Sequence, residues 1–149
     1  MPVLLRPASP ADSDAVADVF LAARAGMTYL PVVHTEAETR SWIAGAVLPG
    51  CAVSVAVEGC TVLGFCALDG DALEHLYVHP AAHGRGIGTR LLAEAKVVSP
   101  GELNLRTFQR NTGARRFYER NGFTIVAVSD GSANEEHEPD IHYRWTRTV

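Results

Sequence analysis

The sequence is poor in lysine, in paired cysteines and in long apolar runs, and each shortage excludes something. Lys96 is the single lysine beside 12 arginines, and 17 carboxylates outnumber them to give a formal net charge of −4. A duplex-binding module carries a basic excess, so nucleic acid is not the expected ligand. No apolar run approaches the roughly 20 residues that a membrane span needs, so no membrane partner is expected either. The start, Met1-Pro2-Val3-Leu4-Leu5-Arg6-Pro7, lacks the charged opening and long apolar stretch of a secretion signal. Cys51, Cys60 and Cys66 are odd in number and lie in β-like apolar stretches, which favours buried reduced thiols over a disulfide framework. No repeat, low-complexity tract or linker divides the chain. With 47% hydrophobic and 20% charged residues, the composition is globular. A soluble, cytoplasmic protein folded as one domain over residues 1–149 is expected.

Residues 3–6 read as a first strand. Ser9-Pro10-Ala11-Asp12 then starts a helix, with Ser9 as cap, Pro10 at the first helical position, and Asp12 and Asp14 at the positive end. Val16, Val19, Phe20 and Ala23 recur at helical spacing up to Gly26, and a second helix fits residues 35–47. The period then changes. Residues 51–58 and 61–68 read as strands joined by a turn at Glu58-Gly59, and 72–78 completes a meander. Beyond it come a helix over 86–98, a strand over 103–108, a helix over 111–121 stopped by Gly122, and strands over 123–128 and 139–145. A meander followed by alternating strands and helices predicts a mixed α/β fold.

The most informative stretch runs from Leu76-Tyr77-Val78 through His83-Gly84-Arg85-Gly86-Ile87-Gly88-Thr89. A strand enters a loop with three alternating glycines, and the loop opens a helix. Glycine permits positive φ and close approach to the amides, and a helix start presents unpaired N–H groups at a positive dipole end. Between Pro80 and Glu94 there is no acid, while Arg85 and Arg90 add positive charge. That is poor helix design unless an external anion completes it. A phosphate or pyrophosphate fits. The loop lacks the lysine of a P-loop, and Thr89 stands where a dinucleotide fingerprint has glycine. A ligand-free glycine turn is the plainer alternative.

The second signal is Asn111, a good helix cap, followed by Ala114, Phe117, Tyr118 and Asn121 on one helical face. By spacing alone, Phe117 and Tyr118 are core aromatics. Together with the loop Gly84-Arg85-Gly86-Ile87-Gly88, however, the series Asn111, Ala114, Phe117-Tyr118-Glu119, Gly122-Phe123 resembles the GNAT superfamily of acyl-CoA-dependent N-acyltransferases, and the resemblance extends from Leu5-Arg6-Pro7 to Tyr143.

The resemblance implies a GNAT-like fold: a central, mostly antiparallel sheet, splayed between two central strands and flanked by about four helices. It also implies that acetyl-CoA lies in the splay as cosubstrate. Its pyrophosphate would rest on the amides from Gly84 to Thr89, through Arg85, Gly86, Ile87 and Gly88. The strand Leu76, Tyr77, Val78 would pair with the pantetheine arm, and the Val78 amide would steady the thioester carbonyl. Asn111 and Arg115 would face the cofactor. Relatives commonly have Gln or Arg where His83 stands, and imidazole can still donate to a phosphate. Tyr118 would be the general acid near the sulfur, its ordinary pKa near 10 keeping it protonated.

The implied activity is transfer of acetyl directly to a primary amine of a small molecule or peptide, in a ternary complex without a covalent enzyme intermediate. The base stays open. Glu74 shares a strand face with Ala72 and Leu76 and is either that base, directly or through water, or a solvated strand carboxylate; many relatives have Glu where this chain has Ala72. His75 points to the opposite face. The acceptor would enter between Tyr29, His34 and Trp42 on one side and the loop from Asp130 to Asp140 on the other. That loop, with Glu135, Glu136, Glu138 and Asp140, either attracts a cationic amine or is a solvated acidic loop. His75, His79 and His83 straddle a strand end and Pro80, so no metal site is expected. No cysteine has an activating neighbour. A homodimer through apolar strands near the C-terminus is plausible on composition. The competing function is a non-catalytic acyl-CoA sensor.

Overall fold

The computed structural model describes residues 2–148. Strand β1 (Val3–Pro7) leads through a short turn into helices α1 (Ser13–Ala25) and α2 (Glu36–Trp42). The meander follows as β2 (Ala52–Glu58), β3 (Thr61–Asp69) and β4 (Ala72–Val78). Then come α3 (Ile87–Val98), β5 (Glu102–Phe108), α4 (Thr112–Arg120), β6 (Thr124–Ser129) and β7 (Asp140–Thr146). The strands form one sheet in the order β1-β2-β3-β4-β5-β7-β6. All pairings are antiparallel except β4 with β5. The expected mixed α/β architecture, with a mostly antiparallel sheet and four helices, is what the chain forms.

The central pairing is nearly absent. β4 and β5 meet only at Ala72 and Asn104, where the Asn104 N–H donates to the Asp71 carbonyl at 2.7 Å. Past that point the strands diverge, while the outer edge of each stays paired, β4 to β3 and β5 to β7.

Two apolar layers cover the sheet. On one face Val16, Val19 and Phe20 of α1 pack with Ile43, Val55 and Phe65. On the other, Ile87, Leu91, Leu92 and Ala95 of α3 pack with Leu73, Leu103, Tyr118, Phe123 and Tyr143. The period of 3.6 in the helices and of 2 in the strands sends these residues inward.

Four local features differ from the sequence reading. Ser9 does not cap α1. Instead the Asp12 carboxylate accepts from the Ser9 N–H at 2.7 Å and from Arg6 at 2.8 and 2.9 Å, and Arg6 holds that carboxyl down to about 2. The second helix is not continuous over 35–47: after Trp42 it widens into a π-turn, with the Leu48 N–H reaching back to the Ile43 carbonyl. This keeps both Ile43 and Val47 buried. The β2–β3 turn is centred on Gly59 and Cys60, since Glu58 pairs with Thr61 and Gly59 has φ +62°. Only Cys66 is buried; Cys51 is half-buried and Cys60 is exposed on that turn.

His75 sits on the α1 face among Phe20, Trp42, Phe65 and Tyr77, with ring centroids 5.1–6.3 Å away. Burial, with Arg24 nearby, pushes its pKa down from 6.5 to about 4. In the unfolded chain the ring protonates below its ordinary value, while the folded chain resists. Stability present above pH 6.5 is therefore lost as pH falls toward 4, approaching about 3 kcal/mol. Thermal unfolding across that window should show the decline, and His75→Phe should flatten it; an unchanged slope in the variant would assign the decline to other groups.

Candidate active site

The site begins with an irregularity in β4. Ala67 pairs with His75 and Leu68 with Leu73, so Glu74 is an extra residue opposite nothing, a β-bulge. The bulge rephases the strand. Leu73 and Leu76 both pack into the layer under α3, while His75 and Tyr77 pack on the α1 side. Glu74 therefore does not share a regular face with Ala72 and Leu76. It stands exposed in the bulge and lines a chamber of about 240 Å³ with Arg106, Glu136, Asp140 and Tyr118.

Above the bulge, the His79 N–H bonds to the Leu63 carbonyl on β3 at 2.8 Å. Alternation along the strand then turns the amides of Leu76 and Val78 away from β3 and toward the gap. The gap opens into a cleft of about 760 Å³ lined by Leu76, Tyr77, Val78, Asn111 and Phe117, with the glycine loop at one end.

The loop has the geometry of an anion cradle. Gly84 and Gly86 have φ of +79° and +75°, conformations that side chains rarely adopt. Gly86 is the N-cap of α3, and the first turn carries no acid. The Arg90 N–H takes the Gly86 carbonyl at 3.1 Å, so the amides of Ile87, Gly88 and Thr89 have no carbonyl within the helix. A Cβ on Gly88 would touch the Phe117 ring at 3.5 Å, so this position brings α3 and α4 close together.

Not every cofactor candidate turns to the cleft. His83 lines it, with Nε2 3.0 Å from the Val78 carbonyl oxygen. Arg85 instead pairs with Glu58 on the β2–β3 hairpin. Arg115 lies under β7, within 3.4 Å of the Tyr143 hydroxyl and of the Gln109 carbonyl, and does not line the cleft. Asn111 caps α4 by accepting the Ala114 N–H at 3.1 Å and also lines the cleft.

Tyr118 lines both the cleft and the smaller chamber. It packs against Phe117, Phe123 and Tyr143 with centroids 5.2, 5.4 and 6.3 Å away. Burial raises its pKa well above the usual tyrosine value, so the hydroxyl keeps its proton. The nearby Cys66 thiol is pushed up to about 12 for the same reason, which leaves it inert as a nucleophile.

The acceptor-side residues divide. His34 and Trp42 line a third pocket of about 500 Å³, whereas Tyr29 lines none of the three spaces. The Tyr29 ring packs on Phe108 at 6.2 Å, under the Arg110 guanidinium at 5.6 Å. The carboxylates of the acidic loop have partners within the protein. Glu135 pairs with His34 at 3.0 Å, Glu136 with Arg24 at 3.2 Å, and buried Glu138 with Arg110 at 2.8 Å. Arg24, held between the Phe20 and Phe108 rings at 5.2 and 5.6 Å, was not among the sequence candidates. At the end of α1 it reads as an ordinary helix-terminal cation.

The model of the acetyltransferase (GNAT) domain family matches residues 40–125, more than half of the chain. The chain belongs to that family. Its matched part carries the cleft, the glycine loop and Tyr118, and leaves out the α1–α2 linker and the β6–β7 loop. The peptidyl-lysine N-acetyltransferase YjaB of Salmonella typhimurium is 34% identical over 68 residues, spanning 46% of this GNAT chain and 46% of that relative. Solved structures share the fold along nearly the whole chain. Apo-form YjaB from Escherichia coli superposes with a TM-score of 0.79 at 21% identity, covering 99% of this chain and 100% of that one. PaiA N-acetyltransferase from Thermoplasma acidophilum, in complex with coenzyme A, has a TM-score of 0.77 at 22% identity and covers 98% and 99%. YncA from Salmonella typhimurium with its cofactor acetyl-CoA has a TM-score of 0.74 at 21% identity and covers 100% and 96%.

Gly131, in the β6–β7 loop, has φ +87°, and a Cβ there would come within 2.4 Å of the Glu138 backbone. Gly131→Ala should destabilise the fold by about 2–4 kcal/mol and loosen the loop that carries Glu135, Glu136 and Glu138. Thermal unfolding reads the loss; an unshifted midpoint would mean that the loop tolerates another course.

Proposed function

We propose that this GNAT chain is an N-acetyltransferase that passes the acetyl group of acetyl-CoA directly to a primary amine of a small molecule or peptide, within a ternary complex. The observation that carries the reading is the parting of β4 from β5 beside a glycine cradle, with Tyr118 where the resulting cleft meets a second chamber. That PaiA and YncA hold coenzyme A and acetyl-CoA on the same fold supports the choice of cosubstrate.

The residues fit such a group. The amides of Ile87, Gly88 and Thr89, with the dipole of α3 behind them, suit a pyrophosphate. The Leu76 and Val78 amides on the open edge of β4 suit the amide and thioester carbonyls of the arm. Acetyl-CoA supplies the activated acetyl, so the enzyme needs no nucleophile of its own. Tyr118 holds its proton until a thiolate leaves, and burial assures that it is protonated at neutral pH. Glu74 is the carboxylate for the incoming ammonium. Among the described residues Glu136 is engaged by Arg24, and Asp140 by Ser129 at 2.5 Å, while Glu74 stands exposed in the bulge. Water between Glu74 and the amine is compatible with that exposure.

The name of the YjaB relative offers a peptide lysine as one acceptor of the amine class. Three unpaired thiols fit a reducing cytoplasm, and no helix among the described residues is long and apolar enough to cross a membrane. A homodimer would form most readily on the edge strand β6, whose Ile125, Val126 and Val128 are exposed.

Tyr118→Phe should lower kcat by about 100-fold and leave acetyl-CoA affinity nearly intact. CoA-release kinetics measure the first and calorimetric titration the second; an unchanged rate would remove Tyr118 from the chemistry. Gly86→Asp, which sets a carboxylate and a strained side chain in the cradle, should abolish acetyl-CoA binding in a chain that still folds. Normal binding by that variant would move the pyrophosphate elsewhere, and binding without turnover of any amine by the unaltered chain would leave a sensor.

A further inference from the structure

The three spaces adjoin one another. The cleft and the chamber share Leu76, Asn111 and Tyr118, and the chamber and the third pocket share Arg24, Met27 and Glu136. With the cleft on one side taken up by the cosubstrate, an amine held in the chamber beside Tyr118 and Glu74 has the third pocket as the adjoining space for its substituent. We infer that this substituent is apolar: the acceptor is a small aliphatic or aromatic primary amine rather than a polyamine or a lysine side chain. The inference rests on the acetyl-transfer reading and narrows its acceptor.

Two observations carry it. The first is the wall. Phe20, Leu21, Leu30, Val33 and Trp42 line the pocket, and Val32 stands at its mouth. Val32 is 93% exposed, Val33 43% and Trp42 40%, a concentration of open apolar surface of the kind that marks a binding site. At about 500 Å³ the space has ample room for a branched alkyl group or a single ring, so the wall's polarity rather than its size makes the choice.

The second observation is the state of the carboxylates. Three line this pocket, and each is engaged. Glu38 accepts the Thr35 N–H at 2.8 Å in the capping box of α2, Glu135 pairs with His34, and Glu136 pairs with Arg24. The neck between pocket and chamber carries the Arg24 guanidinium. A second ammonium on the substrate would have to compete with those partners for a carboxylate and to disturb the Arg24–Glu136 pair at the neck. An apolar group meets neither difficulty and gains contact with the wall.

The test is a CoA-release panel with acetyl-CoA saturating and four acceptors: 2-phenylethylamine, isopentylamine, spermidine and Nα-acetyl-lysine amide. The two apolar amines should show kcat/KM at least about tenfold above the two cationic ones. Leu30→Glu should raise KM for 2-phenylethylamine by about tenfold or more with kcat little changed, because the lost contact is remote from the reacting atoms. Val33→Thr, a near-isosteric change on a partly exposed loop, should move KM the same way by less, and serves if Leu30→Glu fails to fold. Equal or better turnover of spermidine or the lysine derivative overturns the inference, as does an unmoved KM in the folded variants. Acetyl-CoA binding with no turnover of the apolar amines overturns it too. Failure of the unaltered chain to bind acetyl-CoA in calorimetry would overturn the underlying reading instead.

Discussion

Everything in the site depends on a hydrogen-bond ladder that stops after one pairing. Buried backbone donors and acceptors need partners, so two strands that part inside a sheet leave a row of groups to be satisfied by something else. The molecule tolerates this because the far edges of β4 and β5 stay paired apart from the bulge at Glu74, which makes the sheet two halves joined by the Ala72–Asn104 link. One core cluster bridges the halves, with Leu73 from β4, Leu91 from α3, Tyr118 from α4 and Tyr143 from β7 in a single layer. The Tyr143 hydroxyl donates to Glu119 at 2.5 Å, which ties α4 to the second half. The position of Tyr118 is thus a result of core packing as much as of its helix.

The bulge at Glu74 reconciles two demands on one strand. Under strict alternation Leu73 and Leu76 would face opposite sides, and one of them would be lost to the layer beneath α3. One extra residue lets both face α3 and leaves His75 and Tyr77 for the aromatic cluster around Phe20. The same residue loses its partner on β3, and its carboxylate is left exposed on the lining of the chamber. A packing solution and a candidate base arise from a single insertion.

How much of this was legible follows from the range of each interaction. The elements fall close to their expected bounds because the switch between periods of 3.6 and 2 is local, as in α3, where Ile87, Leu91, Leu92 and Ala95 are all buried as their spacing requires. The glycine cradle was readable because positive φ and a helix start without acids both leave a mark in the sequence. The bulge left a fainter one: two leucines three apart in a strand. The loop clamps left none. His34 and Glu135 are 101 residues apart and meet only through the fold, so Glu135, Glu136, Glu138 and Asp140 read as an open acidic loop although each has a partner within the protein. The contact of Arg115 is hidden for a related reason: spacing along α4 gives its distance from Asn111 but not that its guanidinium meets the Tyr143 hydroxyl.

The two sides of the site are built from different materials, and that difference accounts for what a family likeness can carry. The cofactor side is backbone: amides at a helix start, an unpaired strand edge, and glycines that need only be small. Any sequence that keeps the geometry keeps these groups, and the family match over residues 40–125 spans them. The proposed acceptor side is side chain: Leu30, Val33 and His34 before α2, and Glu135 and Glu136 before β7, at positions 30–34 and 135–136 outside that match. Its carboxylates already have partners within the protein, so the count of acids in the loop is a poor guide to what enters. The shape and polarity of the wall, set after the ion pairs have formed, are what remain to choose the amine.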